Sequence, residues 1–178
     1  MTQNQLAVHR DYGKTASAEQ QQGQYLTFYL GGDMYAIGIL RIKEILEFDR
    51  LTAVPMMPAF IRGVINLRGA VVPVIDLSSR FGGKRSEVTK RTCIVIVEVG
   101  DTDGKQDIGV IVDAVSAVLE IAATDIEPSP AFGARIRTDF IEGMGKIEGR
   151  FVILLDVNSV LSVEEIAQVG AMGADVGG

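Results

Sequence analysis

Moving along this chain by 80 positions brings it into register with itself. Phe60, Ile61, Gly63, Gly69, Val72 and Asp76 meet Phe140, Ile141, Gly143, Gly149, Val152 and Asp156. That is six identities over the 18 positions from 60 to 77, where average composition gives roughly one or two. Leu67 with Ile147, Ile75 with Leu155 and Leu77 with Val157 are conservative matches. A displacement of 73 aligns Ile37, Ile39, Ile42, Ile45 and Leu46 with Val110, Val112, Val115, Val118 and Leu119. The displacements differ because the second copy carries a longer break, whose extra residues fall around the Pro-containing stretch 122–139. A unit this small is near the lower size limit for a core of its own. The repeat therefore predicts two modules that pack together and exchange a strand.

Each copy reads as short strands punctuated by turns. Ile and Val number 18 and 20 against 12 Leu, and β-branched side chains suit pleated surfaces better than helices. In the first copy, strands over 24–30 and 34–39 flank the hairpin signal Gly31-Gly32-Asp33. Residues 40–48 form either a further strand or one helical turn. A second hairpin runs over 61–67 and 70–77 around Arg68-Gly69, and a helical turn capped by Asp76 follows. The second copy repeats this with strands over 92–99, 107–112 and 114–121, a hairpin over 140–147 and 150–157, and Asp156 as the matching cap. Ser162-Val163-Glu164-Glu165 has capping-box spacing and starts a short C-terminal helix. The expected fold class is all-β: two tandem five-stranded barrels that close their own edges. The first occupies 23–85 and the second 86–168, between a disordered tail at 1–22 and a flexible tail at 169–178.

Most catalytic chemistries lack their residues here. The single Cys forbids an internal disulfide or a Cys-rich metal site, and Cys93 sits in an apolar run that predicts a buried, inert thiol. The only His, His9, lies in the polar tail, so neither a His-based triad nor a multi-His site can be built. A net charge of −6 and a pI near 4.8 oppose a nucleic-acid partner. No apolar run approaches the roughly 18 residues of a membrane span, and the N-terminus lacks the regions of a signal peptide, so the chain reads as cytoplasmic. Gly83-Lys84-Arg85-Ser86 lacks the first Gly and the Ser or Thr after Lys of a phosphate loop. Gly143 to Gly149 has the wrong spacing for a dinucleotide fingerprint. No catalytic, cofactor or metal site is predicted. Charge differs between the copies instead: Arg62 and Arg68 correspond to Glu142 and Glu148. Two related faces of opposite charge favour heterologous, head-to-tail contacts with a similarly built partner. The residues predict a binding module.

The block from Pro58 to Gly69, with Asn66-Leu67-Arg68-Gly69 at its end, continuing through Val72-Pro73-Val74-Ile75-Asp76-Leu77, closely resembles the bacterial chemotaxis coupling protein family CheW. Residues 35–45 and 109–119 are similar to that family's early segment and its second-half counterpart, and the resemblance spans about residues 24–168. It implies two SH3-like five-stranded barrels around a shared core. It implies a non-enzymatic, cytoplasmic adaptor joining the histidine kinase CheA, through its regulatory domain, to chemoreceptor cytoplasmic tips. Such an adaptor meets the membrane only through receptors, is a monomer in isolation, and forms rings with the kinase. By the same resemblance, Glu44 and Arg68 match charged coupling positions and Gly63 a receptor-binding position. Ile39 and Ile42 match apolar positions near the kinase contact and receptor groove, Arg62 stands where Lys is common, and Asn66 belongs to the same block. Glu142 and Glu148 are the expected second-barrel contacts. Two alternatives are a detached regulatory domain of a CheA-like kinase, which a chain starting at Met1 fits less well, and a small β-barrel enzyme with a carboxylate site.

Overall fold

The computed structural model describes residues 23–100, 104–128 and 140–161. The predicted tails and the helix from Ser162 lie outside the described residues. In chain order the elements are β1 (Gln24–Leu30), β2 (Asp33–Gly38), a 3-10 turn (Ile39–Arg41), β3 (Ile42–Glu47), β4 (Ile61–Leu67), β5 (Ala70–Asp76) and α1 (Leu77–Arg80). The second copy supplies β6 (Cys93–Val99), β7 (Gln106–Val112), β8 (Ala114–Glu120), β9 (Ile126–Glu127), β10 (Ile141–Ile147), β11 (Arg150–Leu155) and α2 (Val157–Val160). The ambiguous stretch 40–48 thus holds both a turn and a strand. Asp76 caps α1 by accepting from Ser79 N at 3.3 Å, and Asp156 caps α2 by accepting from Asn158 N at 3.1 Å.

The strands form a six-stranded sheet of order β8-β1-β2-β11-β10-β9 and a five-stranded sheet of order β3-β6-β7-β5-β4. Each sheet draws on both sequence copies. After the 3-10 turn, β3 leaves β2 and pairs with β6, Ile45 opposite Val95. After Asp113, β8 leaves β7 and pairs with β1, Leu26 opposite Val118. Asp113 holds that crossing: its N–H donates to Tyr29 O at 2.9 Å and its carboxylate accepts from Gly31 N at 2.8 Å. Parallel pairings complete the exchange, with Ile75 opposite Val110 and Ala36 opposite Leu154. One sheet is therefore continuous in sequence over 42–112, and the other joins 24–38 to 114–155. The division at 85/86 follows the repeat but does not separate the sheets.

Period-two alternation explains the apolar runs. On β6, Ile94 and Ile96 point into the five-stranded unit with Val72, Val74 and Ile111, whereas Val95, Val97 and Val99 point into a layer between the sheets. On β2 and β11, Ala36, Val152 and Leu154 face inward while Tyr35, Ile37 and Leu155 join the central layer. Strands buried on both faces read as continuous apolar sequence. Leu46 of β3 and Ile65 and Leu67 of β4 share one inner cluster, so the edge strands of that sheet converge. The result is the pair of SH3-like barrels on a shared core that the resemblance implied. Among the buried polar side chains, the Thr27 hydroxyl donates to Ala117 O at 2.8 Å and accepts from Ala117 N at 3.1 Å where the β1–β8 register slips.

Aromatic rings thread the central layer. Phe28 stacks on Tyr35, Tyr35 on Phe81, and Phe81 tilts against Phe140, with centroids 6.2, 5.7 and 6.2 Å apart. The Arg80 guanidinium lies 4.9 Å from the Phe60 ring and 5.0 Å from the Phe140 ring, and its Nε donates to Val160 O at 2.9 Å. The repeat relates Phe60 to Phe140 and Arg80 to Val160, so this side chain joins the matching ends of both copies. Arg80→Ala is expected to destabilise the chain by about 2–4 kcal/mol, from two lost cation–π contacts and a charged hydrogen bond. Chemical denaturation checks this; a loss below about 0.5 kcal/mol would assign Arg80 no role at the junction.

Candidate functional site

Two hairpin tips stand at matching places. Arg68 and Gly69 have φ of 52° and 88°, and Glu148 and Gly149 have 50° and 78°. Leu67 faces Ala70 and Ile147 faces Arg150, so each is a two-residue turn of the primed type that matches strand twist. Asn66 Oδ1 accepts from Gly69 N at 3.0 Å and braces the first tip. An Arg or a Glu in the left-handed region carries backbone strain that Asn or Gly would relieve.

Arg68 makes a bidentate pair with Glu44, Nη1 to Oε1 at 2.7 Å and Nη2 to Oε2 at 3.0 Å. Glu44 lies on β3 and Arg68 follows β4, so the pair bridges the two edge strands of the five-stranded barrel. The Arg68 side chain stays 73% exposed. The hydrogen bond from Arg68 is the main influence lowering the Glu44 pKa; burial opposes it and the charges of Arg68 and Lys43 add to it. Lys43 itself turns to Asp107 at 3.1 Å.

The other predicted residues separate in the structure. Ile39 is 7% exposed and belongs to the central layer, and Ile42 packs half-buried against it. The exposed apolar residue of that turn is Leu40, which sequence periodicity passed over. The Arg62 side chain is 10% exposed, so it is no free surface charge. Its Nη1 donates to Asp76 Oδ2 at 2.8 Å, and Asp76, fully buried, also accepts from Ser86 N and Ser86 Oγ. A buried carboxylate needs such partners. Gly63 is internal as well: a Cβ there would lie 2.5 Å from Thr52 O, where Thr52 and Val64 exchange two backbone hydrogen bonds. Cys93 is half-buried rather than sealed; burial first, then Glu47, push its thiol pKa up.

Glu142 occupies the Arg62 position on β10, with a different outcome. It borders a cleft of about 380 Å³ lined also by Tyr25, Leu40, Arg41, Leu155 and Asp156. Glu142 is exposed at its outer side; partial burial of its carboxyl first, then the charge of Asp156, raise its pKa, and Arg41 opposes them. Glu148 at the second tip is exposed. Among the described residues no group of three or more His, Cys, Asp or Glu is placed to hold a metal, and no helix is long and apolar enough to cross a membrane.

Charged hairpin tips, an exposed ion pair across one seam and a cleft stand on a double barrel, the arrangement of a binding module and not of a catalytic pocket. The CheW-like domain model matches residues 24–165. The chain is 37% identical to the chemotaxis protein CheW of Klebsiella aerogenes over 146 residues, 82% of this chain and 86% of that one. It is 37% identical to CheW of Bacillus subtilis over 150 residues, 83% and 93% of the two chains. The crystal structure of the scaffolding protein TtCheW from Thermoanaerobacter tengcongensis superposes with a TM-score of 0.72 at 35% identity, covering 80% of this chain and 89% of that one. The chain belongs to the CheW-like family of chemotaxis coupling proteins, a family of non-enzymatic scaffolds.

Gly63→Ala is expected to cost about 2–4 kcal/mol through displacement of the Thr52 segment; an unshifted melting temperature would show that the segment gives way freely. Glu142 gives a pH-dependent expectation. Its folded pKa is raised, so its ionised form is disfavoured by folding; the penalty is absent below the unfolded pKa and grows as pH rises toward the folded one. Glu142→Gln should therefore raise the melting temperature at neutral pH and leave it unchanged near pH 3, well below the ordinary Glu pKa of about 4.3. Equal melting temperatures at neutral pH would contradict that.

Proposed function

We propose that this chain couples the cytoplasmic tips of chemoreceptors to the regulatory domain of the histidine kinase CheA, as a cytoplasmic adaptor that is monomeric alone and joins rings with the kinase. The observation that carries the proposal is the Arg68–Glu44 pair. An arginine is kept at a strained turn corner, held in one orientation by a bidentate contact, yet 73% exposed. Strain retained under an exposed charge favours a role in recognition over one in folding. Leu40, 51% exposed in the turn beside Ile42, supplies an apolar neighbour for a partner surface. Membership of the CheW-like family supplies the chemotaxis context.

The remaining predicted contacts fall into two roles. Ile42, Glu44 and Arg68 form the outward set, with Glu142 and Glu148 on the second barrel. Ile39, Arg62, Gly63 and Asn66 act by holding the backbone that presents them. Arg68→Glu is expected to weaken co-sedimentation with receptor and kinase tenfold or more while leaving the thermal transition nearly unchanged, since an exposed charge contributes little to folding. Undiminished co-sedimentation of the variant would remove Arg68 from the contact. A pull-down of wild type with a receptor tip fragment and the kinase regulatory domain tests the role as a whole, and capture of neither would refute it.

A further inference from the structure

The two copies build the same backbone cage and fill it differently. In the first, Arg62 is the extra residue of a bulge between the pairs Ile61–Ile75 and Gly63–Val74. In the second, Glu142 is the extra residue between Ile141–Leu155 and Gly143–Leu154. Asp76 N donates to Phe60 O at 2.7 Å, and Asp156 N donates to Phe140 O at 2.9 Å. Both aspartates then cap a helical turn. The first cage is complete: Arg62 meets Asp76 at 2.8 Å. In the second, the arginine position holds a carboxylate, and Asp156 faces an open cleft. Its carboxylate hydrogen bonds are to its own turn, Asn158 N, Ser159 N and Ser159 Oγ.

We propose that this cleft is a socket for an arginine side chain presented by a partner protein. Glu142 and Asp156 line it with one compensating guanidinium, that of Arg41, so two carboxylates face one cation. Leu40 and Leu155 border the same space and offer an apolar wall to the aliphatic stem of an incoming arginine. A guanidinium can bridge two carboxylates through its planar fork, which an ammonium cannot match. The first copy shows the fit of that group to this cage; in the second, the charge of Asp156 adds to the burial that raises the Glu142 pKa. For the identity of the partner, the socket rests on the coupling role proposed above.

Titration of the full chain with N-acetyl-arginine methylamide, followed at the side-chain carboxyl carbon resonances, reads the socket directly. Saturable shifts are expected at Glu142 and Asp156 and not at Glu120, with none for the alanine analogue. No saturable shift, or an equal one at Glu120, overturns the proposal. Glu142→Arg supplies the guanidinium internally. It should raise the melting temperature by about 2–4 °C and abolish the response to the arginine compound; a response that survives overturns the socket. With the kinase regulatory domain and a receptor tip fragment, Glu142→Arg should lose tenfold or more in affinity for one of the two, and Glu142→Gln a smaller factor for the same one. Unchanged affinities for both overturn it as a partner site. Wild type binding neither fragment while the arginine response persists would refute the coupling role and uphold the socket.

Discussion

Everything in this molecule hangs on strands that are buried on both faces. β6, β7, β2 and β11 each send alternate side chains into a barrel and the others into the layer between barrels. A single strand thus takes part in two cores, and neither barrel can relax without disturbing the layer they share. Interiors packed to this degree transmit displacement rather than absorb it. Arg80, between Phe60 and Phe140, joins the ends of both copies at that layer. It is a polar group in an apolar setting, made tolerable by two ring faces and the Val160 carbonyl.

Against this rigid frame, charge is used in contrasting ways. Two arginines of the first copy pair with its own carboxylates: Arg62 satisfies buried Asp76, and Arg68 clasps Glu44 across the barrel seam. The second copy carries Glu142 and Glu148 at the same places. Ion pairing within a chain fixes geometry, whereas a cleft in which two carboxylates face one guanidinium leaves charge open to another molecule. The opposed charges seen in the sequence are therefore not one face and its mirror. They are one internally settled copy and one that is open.

The sequence carried the strands other than β9 and the undecided stretch 40–48, the hairpin tips at Arg68-Gly69 and Glu148-Gly149, and the caps Asp76 and Asp156, because each depends on short-range chemistry. Beyond the hairpins it did not carry which strands pair, such as β3 with β6, β8 with β1 and the parallel crossings. A run such as Ile94 to Val97 is apolar on both sides, so no polar face marks its register, and pairing of β1 with β8 spans about ninety residues. The same blindness explains the site. Ile39 and Leu40 are adjacent apolar letters, and only the 3-10 turn sends one inward and the other to solvent. Arg62 reads as surface charge until Asp76 is seen beneath it. Cys93 reads as core because its neighbours are, although its own side chain lies on a partly open face.

The exchanged topology also sets an order of events. During synthesis β1 and β2 leave the ribosome first, but their neighbours β8 and β11 are among the last strands made. The barrel of residues 42–112 can complete itself meanwhile, since all its strands are consecutive. Until then the first hairpin waits with two unpaired edges, a state open to pairing with other chains.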